Sequence, residues 1–163
     1  MRTKFIAVLA TLIFLLVSVS SASAKTDIGT EKKLGVGIGG GSLTYGLSVK
    51  SFMDEKSAII ASLGANYGFS AEAGYLRTVM SLYEGPTGNV DLSVGGTAMV
   101  WMWDTPGVSQ TIFGGRGILE FSFKFATMPL EITAEWGPAF FTGAGTFAGL
   151  YLGGGGGAFR WYF

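Results

Sequence analysis

The sequence predicts an all-β fold: an eight-stranded antiparallel up-and-down β-barrel that spans a membrane and is preceded by a cleaved signal peptide. Three observations predict it. These are an apolar N-terminal run, short stretches that alternate apolar with small or polar residues, and a charged fraction of only 13% in 163 residues. That fraction is about half of the ~25% typical of soluble domains. The chain therefore resembles neither a disordered segment nor an ordinary soluble surface.

The N-terminal run has the features of an export signal. Arg2 and Lys4 precede an apolar run over 5–19, and Ala22 and Ala24 follow at the spacing of a leader-peptidase site. The run of about 15 residues is shorter than the roughly 20 that a membrane helix needs. We therefore expect cleavage after Ala24. The chain then consists of a signal peptide over 1–24, a polar N-terminal leader over 25–33 and a membrane-spanning β-barrel over 34–163.

The barrel region divides into eight alternating stretches, each near or slightly above the 9–11 residues that a tilted membrane-spanning strand requires. An even number of strands allows the first and last to pair and close the sheet. The expected strands are about 33–41, 44–53, 57–66, 69–80, 90–103, 115–125, 129–141 and 149–163. Of the connections, only 104–114 is predicted to be long enough to present much surface, which makes it the candidate for binding a surface ligand.

The two faces of these strands differ in residue type. Bulky apolar residues such as Phe121, Phe123 and Ile132 occupy one parity, whereas Gly, Ser, Thr and mid-strand charges occupy the other. An eight-stranded barrel encloses an interior only just wide enough for side chains. A Lys or Arg facing lipid at mid-depth costs roughly 2–4 kcal/mol. We therefore expect the apolar face outside and a lumen charge network inside, formed by Lys50, Glu72, Asp91, Glu120, Lys124, Glu131, Glu135 and Arg160.

Aromatic residues fall near the ends of the predicted strands, as the belts of membrane barrels require. The periplasmic set is Phe123, Phe125, Trp161 and Phe163, and the outer set is Tyr45, Trp101, Trp103, Phe140 and Phe141. Trp101 has inward parity, so we expect it at the barrel mouth or beside a bulge at Gly95–Gly96. Arg77 has outward parity and is expected to snorkel at the periplasmic end.

Composition excludes several function classes. The chain has no His and no Cys, and its 11 basic residues balance 11 acidic ones. The absence of Cys excludes disulfides and thiolate metal sites, and the absence of His removes the commonest general base and metal ligand. A net charge of zero provides no footprint for nucleic acid. We expect no cofactor, no metal, no catalytic residue and no nucleic-acid partner.

Two motifs suggest chemistry but fit the barrel better. Gly35–Gly40 satisfies G-x-G-x-x-G, yet it lies inside an alternating strand with no helix after it, unlike a dinucleotide site. Glu131 and Glu135 share a face but stand about 13 Å apart along a strand. That separation exceeds the spacing of an acid–base pair acting on one sugar. Filling of the barrel is the favoured role for these carboxylates.

The last strand ends with Gly157, Phe159, Trp161 and Phe163, which resembles the C-terminal signal that barrel assembly machinery recognises. Together with the glycine-rich hairpin over 35–47 and the segments 54–59 and 129–138, it makes residues 34–163 resemble small eight-stranded outer-membrane proteins. These are of the OmpA-transmembrane-domain and OmpX type, and more closely an uncharacterised family of bacterial outer-membrane barrels.

This resemblance implies location in the bacterial outer membrane, outer-membrane lipid and the assembly machinery as partners, and a monomer. It implies no activity. The chain is expected to lack the long protruding strands of OmpX-type proteins.

The favoured function is a non-enzymatic integral outer-membrane barrel with a charged, largely plugged lumen and a structural or surface-interaction role. A soluble secreted ligand-binding barrel of lipocalin type is the alternative, and it would need the Phe and Leu rows inside. An outer-leaflet lipid-modifying enzyme is less favoured, because known eight-stranded examples use a His that this chain lacks. An adhesin would need a binding loop, for which 104–114 is the candidate.

Overall fold

A computed structural model describes residues 26–41, 44–65, 68–105, 108–143 and 148–163. The predicted signal peptide over 1–24 lies outside these residues. In the described part of the chain, no helix has the length and apolar character needed to cross a membrane.

The described chain forms eight β-strands that close into one barrel. Each strand pairs antiparallel with the next along the chain, and the first pairs with the last. The strands are β1 Leu34–Gly41, β2 Tyr45–Phe52, β3 Ser57–Gly64, β4 Phe69–Gly85, β5 Gly88–Thr105, β6 Val108–Phe125, β7 Leu130–Gly143 and β8 Gly149–Tyr162. The predicted all-β, eight-stranded antiparallel barrel is confirmed.

Strands β4, β5 and β6 are longer than predicted. Of the segment 104–114, predicted to be a loop, residues 104–105 belong to β5 and 108–114 to β6, and Asp104 pairs with Ser109 while Thr105 pairs with Val108. The predicted connection over 81–89 shrinks to a turn at residues 86–87, between Gly85 and Gly88. The chain was expected to lack the long protruding strands of OmpX-type proteins; β5 and β6 have 18 residues each, whereas β1 has eight. Gly114 and Gly115 do not end β6, because β5 and β7 hold the backbone there on both sides, whereas 80–85 pair with β5 alone.

The strands are tilted. A path that follows paired residues from Gly35 around the barrel reaches β8 at Tyr151, whereas Gly35 itself pairs with Tyr162. The offset is 11 residues (162 − 151), including a bulge between Gly137 and Ala139. With a rise of about 3.3 Å per residue and about 4.8 Å between strands, this offset corresponds to a tilt of about 40°.

The two ends of the barrel are named here by their connections. At the lower end lie the β2–β3, β4–β5 and β6–β7 connections, together with Leu34 and Phe163; the other four connections lie at the upper end. The interior is layered between these ends. Near the lower end, Phe52, Ala58 and Tyr162 form an apolar layer. Ile60, Leu76 and Ile118 pack together farther up, and Met99 and Ala139 pack with Trp101 and Phe141 toward the upper end.

Residues 26–32, predicted to be a polar leader, form an N-terminal plug at the lower end. The carbonyl oxygen of Asp27 accepts hydrogen bonds from the backbone amides of Thr30, Glu31 and Lys32, which makes a compact turn. Ile28 is 3% exposed and packs against the lower apolar layer. The hydroxyl of Thr26 donates to the carbonyl oxygen of Phe125 at 3.1 Å. The plug therefore covers part of the lower opening of the lumen.

Candidate functional site

The pleat of the strands places the charged side chains inside the barrel. Nine of them, each at most 8% exposed, line the lumen: Lys50, Glu72, Asp91, Arg116, Glu120, Lys124, Glu131, Glu135 and Arg160. Eight of these are the residues that the alternation placed there. Their neighbours on the other face, such as Phe121 and Ile132, are about half exposed.

Glu131 is the centre of the largest group, the Glu131 cluster, formed by Lys50, Glu120, Glu131 and Arg160. Lys50 Nζ lies 2.7 Å from Glu120 Oε1 and 2.8 Å from Glu131 Oε1. Arg160 Nη1 lies 3.2 Å from Glu131 Oε2, and the Tyr162 hydroxyl donates to that same oxygen at 2.8 Å. Both oxygens of Glu131 are therefore occupied by donors from other strands.

A second group, the Arg116 cluster, lies farther up and consists of Glu72, Arg116 and Glu135. Arg116 Nη2 lies 2.9 Å from Glu72 Oε1 and 2.9 Å from Glu135 Oε2. Arg160 Nη2 stands 3.7 Å from Glu135 Oε1 and so connects the two clusters. The network thus crosses the lumen and joins strands that are not neighbours in the sheet.

Arg116 is the lumen residue that sequence reasoning missed. It shares the parity of Glu120 and Lys124, so the alternation already placed it inside. The predicted strand began at 115, beside two glycines, and Arg116 was left at its margin. With Arg116, four cations face five carboxylates, which is close to balance and reduces the cost of burying these charges.

Lys124 and Asp91 form a separate pair near the lower end, with 2.9 Å between Nζ and Oδ2. Lys124 Nζ also lies 4.7 Å from the centroid of the Phe52 ring, and Lys50 Nζ lies 5.1 Å from it. Both distances suit a cation–π contact. Phe52 therefore separates the charged layer from the plug while contributing to the stabilisation of both lysines.

A cleft of about 280 Å³ opens at the lower end between the N-terminal plug and the lower parts of β4 and β5. Asp91 and Lys124 line it, with Ile28 and Thr26 of the plug and Glu84 of β4. It is the place where the plug leaves the lumen partly open. No group of three or more Asp or Glu residues suited to a metal ion occurs among the residues that the structure describes.

The remaining predicted residues lie where their parity indicates. Phe159, Trp161 and Phe163 are exposed on the outer face, while Gly157 opposes Ala134 and Gly40 within the sheet. Trp101 packs against the Met99–Ala139 layer, which is the predicted mouth position. The alternative of a bulge at Gly95–Gly96 is wrong, because both residues pair in regular register. Arg77 is exposed and opposes Ser57, the first residue of β3.

The pairing of β1 with β8, which closes the barrel, requires a residue without a side chain at position 35. A Cβ atom on Gly35 would lie 2.5 Å from the ring of Tyr162, which stacks over this glycine. The position thus requires glycine so that Tyr162 can reach Glu131. The glycine-rich first strand is explained by this close approach rather than by a phosphate site.

Comparison with protein-family models, with curated proteins and with solved structures finds no match to this chain. The similarity to small outer-membrane barrels therefore stays a prediction that the residues alone support.

Proposed function

We propose that the protein is a non-enzymatic integral barrel of the bacterial outer membrane, with a plugged lumen and a structural or surface-interaction role. One observation carries the proposal: the outside of the wall is apolar while the charges lie inside. Large apolar side chains are exposed on every strand, for example Ile38 at 61%, Tyr45 at 61% and Trp136 at 53%. Contiguous apolar patches above a few hundred Å² are rare on soluble monomers. A hydrocarbon surrounding fits this wall better than water does.

The same observation weighs against a lipocalin-like barrel. Such a protein keeps its apolar rows inside, around a cavity for an apolar ligand. Here the described lumen is filled by the Glu131 and Arg116 clusters, and both lie between apolar layers. The carboxylates of the two clusters are each held by Lys or Arg, which suits a structural network better than acid–base chemistry. This filling also favours low conductance.

The charged residues outside the lumen are concentrated at one end of the barrel. From Thr26 onward the sequence has 8 basic and 11 acidic residues. Nine lie in the lumen, and Asp104 belongs to the upper end of β5. The other nine belong to the lower end: Asp27, Glu31, Lys32, Lys33, Asp54, Glu55, Lys56, Arg77 and Glu84. We propose that the lower end, with its short turns, faces the periplasm.

In this orientation the β5–β6 hairpin is the part that reaches farthest outward. A surface partner would then meet a paired ribbon over 104–114 instead of the loop that the sequence suggested. The barrel assembly machinery remains the proposed partner of the exposed residues Phe159, Trp161 and Phe163.

The first experiment tests insertion. The mature chain is refolded into detergent and into lipid vesicles, and its gel mobility is compared with and without boiling. We expect a mobility shift on boiling and co-flotation with the vesicles. A chain that stays monomeric and folded in buffer without detergent would rule out the membrane barrel and favour the secreted barrel.

The second experiment tests orientation in whole cells. The sequence has no Cys, so Thr111→Cys at the upper end and Glu55→Cys at the lower end each introduce one unique thiol. A membrane-impermeant maleimide should label intact cells of the first variant only. Lysed cells, in which both should react, are the control, and the reverse pattern would invert the proposed orientation.

A further inference from the structure

The buried charges of the lumen do not cancel. Among the described residues, four cations face five carboxylates, which leaves one negative charge in excess. The Glu131 cluster has two cations and two carboxylates, and the separate pair near the lower end is neutral. The excess charge therefore belongs to the Arg116 cluster, in which one guanidinium serves two carboxylates. Arg160 approaches Glu135 only at 3.7 Å and already serves the Glu131 cluster. A buried charge without a counter-charge is strongly unfavourable.

Two hydroxyl groups beside this cluster lack a partner. Thr97 and Ser70 are 6% and 0% exposed, and neither hydroxyl has a hydrogen-bond partner in the described part of the chain. Thr97 pairs directly with Arg116 on β6 and stands diagonal to Glu72 on β4. Ser70 shares the inward face of β4 with Glu72, two residues away. Buried polar groups nearly always have a partner, so two buried hydroxyls without one, next to an excess negative charge, indicate a ligand.

Space remains beside the Arg116 cluster but not beside the Glu131 cluster. The side chains of Glu72 and Glu135 each keep 4% exposure, whereas those of Glu120 and Glu131 have none. All four side chains point into the lumen, so the remaining exposure faces the interior of the barrel. The upper cluster therefore has room for a group about the size of a water molecule.

We propose that the Arg116 cluster binds one monovalent cation, sodium or potassium, between the Glu72 carboxylate and the hydroxyls of Thr97 and Ser70. Hard cations take oxygen ligands, and carboxylate and hydroxyl groups supply them here. A single positive charge cancels the excess, whereas a divalent ion would reverse it. A proton on one carboxylate would also cancel the charge, but it would leave both hydroxyls without a partner.

The cation site depends on the closed lumen and not on what surrounds the barrel. Its proposed ligands come from β4 and β5, while Arg116 and Glu135 come from β6 and β7. These side chains lie together only in the folded chain. Binding of the cation therefore stabilises the barrel against unfolding, and the effect is measurable wherever the barrel folds.

The test is urea unfolding of the full mature chain, refolded into non-ionic detergent micelles, in three chloride salts. Sodium, potassium and N-methylglucamine chloride are compared at the same ionic strength of about 0.15 M, so that screening is equal. At about ten times the dissociation constant, sodium or potassium should lower the equilibrium constant of unfolding by about tenfold relative to N-methylglucamine. The effect should saturate as the cation concentration rises, because one site is filled.

Three variants locate the response. Thr97→Val removes a ligand oxygen with little change of shape, and its hydroxyl has no partner in the described protein to lose. This variant should therefore be as stable as wild type in N-methylglucamine but lose most of the gain in sodium or potassium. Glu72→Gln removes the excess charge and should abolish the response. Ser122→Ala is the matched control, since its hydroxyl is likewise buried without a partner but lies two residues from Glu120, beside the neutral cluster, and it should keep the full response.

Two results would overturn the cation site. One is an equal equilibrium constant of unfolding for wild type in the three salts, which would leave a proton as the counter-charge. The other is a cation response that Thr97→Val retains in full, which would place the ion elsewhere; this variant decides the matter if Glu72→Gln fails to fold. A wild-type chain that folds in buffer without detergent would instead contradict the proposed membrane function, and the three salts are then compared in buffer.

Discussion

The inner and outer faces of the barrel wall are formed by the same strands, yet they are built for opposite surroundings. On β7, Glu131 and Glu135 are buried, while Ile132 and Trp136, which alternate with them, are about half exposed. The inner charges satisfy one another across the lumen, as Lys50 does with Glu120 and Glu131. The outer side chains have apolar neighbours on the same face, as the rings of Phe123 and Phe125 do with 4.7 Å between their centroids. The difference teaches that the buried charges of this protein depend on specific partners, whereas the apolar side chains of the outer face depend mainly on what surrounds the barrel.

The largest loss of stability is expected from a substitution of Glu131, which is the centre of the inner charge network. Glu131→Leu removes the carboxylate that serves Lys50, Arg160 and Tyr162 at once. Breaking a buried ion pair from one side costs about 3–5 kcal/mol, because the remaining charges stay buried without compensation. Urea unfolding of the refolded protein in vesicles should show this loss of free energy of unfolding. Glu84→Gln, at the exposed lower end, is the control and should change it by less than about 0.5 kcal/mol.

A loss below about 1 kcal/mol for Glu131→Leu would contradict the network, since a typical single hydrogen bond is worth that much by itself. It would mean that the lumen repacks or admits water near Lys50 and Arg160.

The next effect is expected on the outer face. Ile38→Lys places a charge halfway along β1, at a position that is 61% exposed. In lipid this should cost roughly 2–4 kcal/mol of the free energy of unfolding, because the ammonium group leaves water for hydrocarbon. Ile38→Val is the matched control. On a water-facing surface the same lysine would change stability by no more than about 0.5 kcal/mol, and that outcome would overturn the assignment of the outer face.

A smaller effect is expected at the plug, where the inner face meets the lower end. Ile28→Ser removes an apolar side chain from the layer of Phe52, Ala58 and Tyr162. The lost burial is worth about 1.5–3 kcal/mol. We expect part of it to appear as local opening, with faster proteolysis of the N-terminal segment and little change in the unfolding of the barrel. Thr30→Ser, in the same turn, is the control.

The smallest effect on stability is expected at the Asp54 turn, between β2 and β3. The hydrogen bond from the backbone amide of Lys56 is the main cause that holds the pKa of the Asp54 carboxyl below its usual value. A hydrogen bond from the Ser57 side chain is the next cause. A lowered pKa in the folded state adds stability above the unfolded pKa, near 4, and this stability is lost as pH falls through the folded pKa. Wild type should therefore be more stable than Asp54→Ala at pH 7, and the two should converge as pH falls toward 2.

Convergence is measured by urea midpoints across that pH range. A constant difference between the two proteins would show that the turn is held by its backbone geometry and not by the ionised carboxylate.

The two-residue period was enough to predict which residues lie inside, but not how long each strand is. The alternation of residue types in the sequence was enough to place Glu131, Lys124 and Arg160 in the lumen. The ends of β4, β5 and β6 were misjudged because Gly85–Gly88 and Asp104–Gly107 contain turn-forming residues, and sequence alone does not show how tightly the chain reverses there. Much of the added length pairs with one neighbour only: 80–85 pair with β5 alone, and 103–105 pair with 108–110, so these parts are two-stranded ribbons beyond the neighbouring strands.

The plug could not be predicted from its own composition. Residues 25–33 are polar apart from Ile28 and Gly29, and nothing in the segment itself indicates a buried position. Ile28 is buried because the lower end of the barrel presents Phe52 and Tyr162, which come from β2 and β8. That pairing of distant strands exists only after the sheet has closed.

The sequence by itself determined the fold class, the number of strands and the separation of charged from apolar side chains, because alternation along a strand is a local property that closure preserves. Only the tertiary structure decided which cation meets which carboxylate, the stacking of Tyr162 over Gly35, and the unequal lengths of the strands. Those features depend on the register between strands, and the register is decided by contacts between residues that lie far apart in the chain.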